Sequence, residues 1–465
     1  MEFVDQTIVK KSRQPELYAY LEQQCQLANN LRNAALFRTR QIFCGYKKKD
    51  RTANEKEVFQ EIEIAQAQYG ISVRQCISYK SLEKLMRATI NPDFFAGLPM
   101  QSAQHTVKQV TLDFHTWLAA LKDYKANPGK YLGKPRMPKY GKSGASHSYV
   151  ITNQDAVLYP VVDGKTGEVH GSELKLPLLS YRLQLPHLDP AADLRQVEIL
   201  PYHGTFIVSL IFEDGIAEIA KNSGANLAAI DFGVDNIATI VSTDASCAVF
   251  KGGAIKANNQ MYAKKKASAT AIIAKGHERK GAHSKHLDKL AYDHENFSAD
   301  YLHKVSRRIV DYCVAHEVGT LVIGKNKHWK QEVNLGSTIN QTFVSIPYYR
   351  LQSMIRYKAE AIGIAVVEQE ESYTSKADIT TMDPLPVYKK GEKNTVTFSG
   401  TRIQRGLYKC GNGLVINADC NAAANILRKA FPDAWSSCSD FSFLAFPMSF
   451  GFHAINDGIN TYKYS

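Results

Sequence analysis

The run Leu227-Ala228-Ala229-Ile230-Asp231-Phe232-Gly233 is followed by Ile237 to Ser242 and by Cys247 to Lys251, with only a few turn residues between successive runs. Each run is short and rich in apolar and β-branched residues, so each reads as a strand, and the short turns make the three an antiparallel meander. An acid stands inside the first of them. A buried carboxylate is costly unless something cationic compensates it, and a metal ion is one such compensator.

Reading on from the meander, residues 258–318 are polar, basic and helical in pattern. A fourth strand follows at Thr320-Leu321-Val322-Ile323-Gly324, then a helix over 348–362 and a fifth strand over 364–368. Three strands, helix, strand, helix, strand is the order of the RNase H fold. The stretch 372–413 is loop-rich, and the last helix opens at Asp419-Cys420-Asn421-Ala422-Ala423-Ala424-Asn425. Asp419 is the second candidate ligand, although aspartate at a helix start is equally a favoured N-cap. Beyond residue 431 no periodicity assigns a role.

Reading back from the meander, residues 3–10 form a strand. Helical spacing covers 14–43, 78–87 and 102–124, with the basic loop Lys47-Lys48-Lys49-Asp50-Arg51 after the first helix. Short alternating runs at 174–178, 182–185, 196–200 and 205–212 suggest a small β-barrel, closed by the first strand and interrupted by the helices. Between helices and barrel lies an extended Pro/Gly strip, 127–140. Its Tyr131 and Tyr140 could stack on bases while Lys134, Arg136 and Lys139 neutralise phosphate, or the strip could be a solvated linker.

The chain has 465 residues, enough for two or three domains, and a formal net charge of +12. About 23 Lys/Arg against about 13 Asp/Glu fall in residues 1–145, which points the first third toward a polyanionic partner. No apolar run reaches membrane-spanning length and the start lacks a signal-peptide layout, so no membrane partner and a cytoplasmic location are expected. The eight cysteines contain no C-x-x-C pair. Reduced thiols are the simplest reading.

Set in order, these segments resemble the TnpB family of transposon-encoded RNA-guided nucleases, related to type V CRISPR effectors. Ala229-Ile230-Asp231-Phe232-Gly233-Val234-Asp235-Asn236-Ile237-Ala238-Thr239 is similar to the family's first RuvC motif and Asn417-Ala418-Asp419-Cys420-Asn421-Ala422-Ala423-Ala424-Asn425-Ile426 to its third. Tyr301-Leu302-His303-Lys304-Val305-Ser306, Tyr357-Lys358-Ala359-Glu360, Tyr373-Thr374-Ser375-Lys376, Gln101-Ser102-Ala103-Gln104 and Gly133-Lys134-Pro135-Arg136-Met137-Pro138 resemble further family segments. The resemblance implies a mixed α/β fold. A β-barrel wedge (1–13 and 141–225) would carry a helical recognition insertion (14–140), and a RuvC-like RNase H nuclease domain (226–371 and 414–430) would carry a zinc-ribbon or lid insertion (372–413), followed by a tail (431–465). It further implies cleavage of double-stranded target DNA directed by a transposon-end-derived guide RNA, with two Mg²⁺ ions, in the context of transposition and DNA recombination. Arg307 and Arg308 would join the nucleic-acid-binding residues.

Two departures qualify the match. Gly324 stands where the family's second catalytic acid, a glutamate, ends the fourth strand, and two aspartates alone are a sparse donor set for two metal ions. Glu371 is the favoured replacement, with Glu370 as substitute because adjacent strand residues face opposite ways. The metal set expected is therefore Asp231, Glu371 and Asp419. The other departure is the ribbon: Lys376-Ala377-Asp378-Ile379 occupies the place of the first cysteine pair, only Cys410 remains of the second, and residues 372–419 contain no histidine. No zinc is expected. Lys389, Lys390, Lys393, Arg402, Arg405 and Lys409 make that segment a basic lid or a solvated loop. A nuclease-inactive RNA-guided DNA-binding repressor and a compact type V effector are the alternative functions.

Overall fold

Strand β1 (Glu2–Val9) leads into helices α1 (Pro15–Gly45), α2 (Ala53–Tyr69), α3 (Tyr79–Ala88) and α4 (Met100–Ala126). Strands β2 (Tyr149–Thr152), β3 (Val157–Val162), β4 (Val169–Lys175), β5 (Arg182–Leu185), β6 (Leu194–Tyr202) and β7 (Thr205–Glu213) follow. The computed structural model describes residues 2–213, 224–275, 284–325, 346–388 and 396–456. Its contacts divide the chain into two units, 1–216 and 217–465.

In the first unit the strands form a four-stranded sheet, β1-β7-β6-β2, and a separate three-stranded sheet, β3-β4-β5, both antiparallel. Leu17, Leu21 and Leu31 of α1, Val107 and Phe114 of α4, and Val197 and Ile199 of β6 belong to one apolar core. Sequence reading passed over α2. Its signal was Thr52-x-x-Glu55: the Thr52 hydroxyl accepts from the Glu55 amide (3.3 Å) and the Glu55 carboxylate accepts from the Thr52 amide (2.9 Å).

The second unit contains β8 (Asn226–Asp231), β9 (Asn236–Ser242), β10 (Ser246–Lys251), α5 (Gly253–Ala274), α6 (Lys285–Ala315), β11 (Val318–Lys325), α7 (Tyr348–Glu360) and β12 (Ala365–Glu370). The chain continues through β13 (Thr401–Gln404), β14 (Leu407–Lys409), β15 (Val415–Asn417), α8 (Ala418–Ala430), β16 (Met448–Phe450) and α9 (Phe452–Asn456). The region read as one helical stretch before β11 is thus two helices. The main sheet runs β12-β11-β8-β9-β10-β16; β8, β9 and β10 are antiparallel, whereas β11 is parallel to both β8 and β12.

Both faces of this sheet are covered over β8, β9, β10 and β11, whose residues are mostly buried rather than alternating. Ala228, Ile230, Leu321 and Ile323 pack with Leu302, Val305 and Ile309 of α6 and Leu351 and Ile355 of α7. Ala229 and Val322 pack on the opposite side with Ala423, Ile426 and Leu427 of α8. Strand parity therefore puts Asp231 and Gly324 on the α8 side.

The tail, which the sequence left without a role, completes this domain. Trp435 is buried and donates from its indole N–H to the Ala424 carbonyl (3.1 Å), while β16 adds a parallel edge strand beside β10. The loop-rich segment likewise contains structure: β13, β14 and β15 form a three-stranded antiparallel sheet. Lys389, Lys390 and Lys393 lie outside the described residues.

Candidate active site

Asp231 ends β8 at a sharp turn held by backbone contacts. The Tyr348 hydroxyl donates to the Gly233 carbonyl (2.7 Å), and the Gly252 amide donates to the Asp235 carbonyl (2.7 Å). Burial pushes the Asp231 carboxyl well above the usual carboxylate range; Glu371 and then Asp419 push it further, and the Arg402 guanidinium opposes them. Two acids far away in sequence thus act on Asp231.

Asp419 is not the cap of its helix. Asn417 holds that position, its side-chain oxygen accepting from the amides of Asp419 (2.9 Å) and Cys420 (3.1 Å). The capping alternative is removed for Asp419, because the first-turn amides already have an acceptor. Its carboxylate instead accepts from the Asn236 side-chain amide (2.8 Å) and lies 3.6 Å from the Arg402 guanidinium.

The two candidate glutamates have different partners. Glu370 accepts from the Lys429 ammonium (2.7 Å) and the Ser372 amide (2.6 Å). Burial raises its carboxyl, but these bonds outweigh that and leave its pKa lowered. Glu371 reaches into the space above Gly324. A β-carbon on Gly324 would meet the Glu371 Oε2 at 2.7 Å and the Ile426 Cδ1 at 2.9 Å. A residue with a side chain at 324 and this placement of Glu371 exclude each other.

The donor chemistry fits a hard divalent cation: three carboxylates, two of them raising the proton affinity of the third, are relieved by positive charge. Among the described residues no group of three or more His, Cys, Asp and Glu side chains is drawn together as a ready metal centre.

The remaining predicted residues are not gathered here. Tyr131 donates its hydroxyl to Asp123 (2.6 Å), which also pairs with Lys130 (2.7 Å). The Tyr140 ring carries the Arg40 guanidinium 4.8 Å from its centroid. Lys134, Arg136 and Lys139 are exposed. On α6, Arg307 pairs with Asp311 (2.8 Å) and Arg308 is half-buried. Lys358 donates to the His303 carbonyl (2.8 Å) and the Ser306 hydroxyl (2.7 Å), so two of the quoted motifs meet where α7 crosses α6.

Sequence reading also missed how α8 grips the insertion. Asn421 and Asn425, one turn apart and fully buried, both donate to the Ala377 carbonyl (2.8 and 2.7 Å), and the Ile379 amide donates to Asn421 (3.2 Å). Asp378, fully buried, accepts from the Thr380 amide (2.8 Å) and the Gly411 amide (2.6 Å). Asp383 accepts from the amides of Asp378 (3.0 Å) and Ser399 (2.9 Å). Two carboxylates therefore tie together the two arms flanking Cys410 and Asp378. The signal was a pair of acids among Thr, Ser and Gly donors, which a search for cysteine pairs passes over.

Residues 213–330 match the OrfB_IS605 family, described as "Probable transposase", and residues 348–426 match the family described as "Cas12f1-like, TNB domain". The chain is 31% identical over 154 residues to the CRISPR-associated endodeoxyribonuclease Cas12f1 of Sulfoacidibacillus thermotolerans, covering 33% of this chain and 32% of that protein. It is 27% identical over 224 residues to the TnpB-like protein ORF457 of Acidianus two-tailed virus, covering 46% and 44%. The matches thus span a third to somewhat under half of each relative's length. Among solved structures, a Cas12f1–sgRNA–target DNA complex aligns at 16% identity over 92% of this chain and 100% of that one, with a TM-score of 0.33. Alicyclobacillus acidoterrestris C2c1 with single-guide RNA aligns at 8% identity over 92% and 88%, with a TM-score of 0.47. Parts of the chain are thus similar to a transposase family, to a Cas12f1-like domain, to a TnpB-like protein and to a Cas12f1.

Proposed function

We propose that this protein is an RNA-guided DNA endonuclease of a transposon, with a RuvC-like site formed by Asp231, Glu371 and Asp419. The observation that carries the reading is the Glu371 carboxylate filling the space above Gly324, on the α8 side of the sheet to which strand parity also assigns Asp231. A carboxylate that has moved from one strand end to its neighbour keeps the donor set at three.

Asp231, Glu371 and Asp419 would hold the divalent ions, Mg²⁺ being the expected metal; bound there, such ions activate water and offset charge on the scissile phosphate. The chain's own part is to keep the acids in place. Asn236 orients Asp419 by its 2.8 Å hydrogen bond, and the Thr374 hydroxyl bonds back to the Glu371 carbonyl (2.9 Å), fixing the turn that aims this side chain. Glu370, engaged by Lys429, is a structural neighbour in this reading.

Guide RNA, derived from the transposon end, and double-stranded target DNA are the proposed partners. Base pairing would select the target, while basic residues including Lys134, Arg136, Lys139, Arg307 and Arg308, with Tyr131 and Tyr140, would hold backbone and bases. Among the described residues no helix is long and apolar enough to cross a membrane.

The test is Mg²⁺-dependent cleavage of a matched duplex by protein purified with its RNA, comparing wild type with Asp231→Ala, Glu371→Ala and Glu370→Ala. Loss with the first two and retention with the third is expected. Cleavage that survives Glu371→Ala overturns the relocated glutamate; guided DNA binding without any cleavage in wild type favours the repressor.

A further inference from the structure

Strands β13, β14 and β15 carry two arginines back to the acids. β15 runs directly into α8, and its partner β14 pairs Leu407 with Asn417 and Tyr408 with Ile416. The Ala418 amide also donates to the Gly406 carbonyl (3.0 Å). Buried Tyr408 anchors this sheet, its hydroxyl donating to the Lys376 carbonyl (2.7 Å). The β13–β14 hairpin is therefore fastened to the same backbone that presents Asp419.

From that hairpin Arg402 reaches Asp419 at 3.6 Å, beyond hydrogen-bonding distance, and Arg405 pairs with Asp235. Every residue of β13 is exposed, and the Arg402 side chain keeps 49% of its surface in solvent. A half-exposed ion pair without a hydrogen bond is held by charge alone, which makes it weak and exchangeable. Arginine also stays charged at every working pH, so only another cation or a movement of the hairpin relieves Asp419 of it.

We propose that Arg402 is a built-in counter-cation of the acid cluster, competing with divalent metal for Asp419 and so setting the metal concentration at which the site fills. This rests on the reading of Asp231, Glu371 and Asp419 as the metal-holding set. Arg402 is a positioning residue here. A cation held at Asp419 would take the place of the Arg402 guanidinium there, while β14 and Tyr408 keep the hairpin fastened. Arg405 contributes less, because Asp235 retains Lys256 at 3.1 Å when Arg405 is removed.

The experiment is a Mg²⁺ titration of the full chain followed by calorimetry and by thermal shift, with no substrate present, for wild type, Arg402→Gln, Arg402→Lys, Arg405→Gln and Asp231→Asn. Arg402→Gln is expected to half-saturate at about three- to ten-fold lower Mg²⁺, the scale of one partly screened charge. Arg402→Lys stays near wild type and Arg405→Gln shifts less than Arg402→Gln. Equal or weaker metal binding by Arg402→Gln, with Asp231→Asn losing binding, overturns the counter-cation alone. Undiminished binding by Asp231→Asn overturns the metal-site reading beneath it.

Discussion

The Glu371 carboxylate lies 2.7 Å from the point where a β-carbon on Gly324 would stand. One residue lacks a side chain and the other fills the gap, and the two strand ends are adjacent in register, with Lys325 opposite Glu370.

Gly324→Ala is therefore expected to be damaging although alanine is small. The methyl group would press on the terminal atoms of Glu371 and Ile426, which can shift aside, so the cost to stability stays near the low end of overpacking, about 1 kcal/mol, and the damage falls on cleavage. Chemical denaturation and a cleavage assay read the two effects. Pairing Gly324→Glu with Glu371→Gly should recover part of the Mg²⁺ affinity lost in Glu371→Gly; a neutral Gly324→Ala would speak against this packing.

Asp231→Asn should abolish cleavage, by more than the ~10²-fold that loss of an outer-shell partner costs, yet stabilise the metal-free fold by about 0.5–2 kcal/mol. The sign follows from the raised carboxyl. Its contribution is fully present below the unfolded carboxylate value of about 3.9 and is lost as pH rises through the higher folded value. The melting-temperature gap between Asp231→Asn and wild type should widen with pH over that window and close when Mg²⁺ is added.

Trp435→Ala should cost about 3–5 kcal/mol, because it empties a buried site and leaves the Ala424 carbonyl without its indole donor. Termination after residue 430 should be worse, since it also strips β16 from β10. Urea midpoints of the two variants check this; a Trp435→Ala protein as stable as wild type would remove the tail from the domain.

Asp378→Ala is expected to loosen the segment around Cys410 by about 1 kcal/mol, through loss of the hydrogen bonds from the Thr380 and Gly411 amides. In buffer without Mg²⁺, a strong chelator should leave the wild-type melting temperature in place. Protection of the Gly411 amide from hydrogen exchange, lost in Asp378→Ala, is the specific readout.

Local pattern carried much of this molecule. Apolar runs bounded by turns located β8 to β12, and the position of Asp231 inside one of them made it a candidate before any contact was known. Helix α2 was equally legible through Thr52 and Glu55 but was passed over, because its apolar stripe is thin: only Val58, Ile62 and Ala65 are its buried hydrophobic residues. The roles of Trp435 and β16 were not legible, since an aperiodic tail becomes meaningful only against the edge and face it covers.

The sequence by itself determined which acids were available and in which order their strands and helices follow, because periodicity and turn chemistry are local. It left Asp419 open between cap and ligand, and Glu371 open against Glu370. Only the tertiary structure shows their surroundings: Asn417 accepts the first-turn amides, Lys429 takes Glu370, and Gly324 yields its space to Glu371. Such choices depend on which groups from distant segments reach the same few ångströms, and that is fixed by packing rather than by any residue's neighbours in the chain.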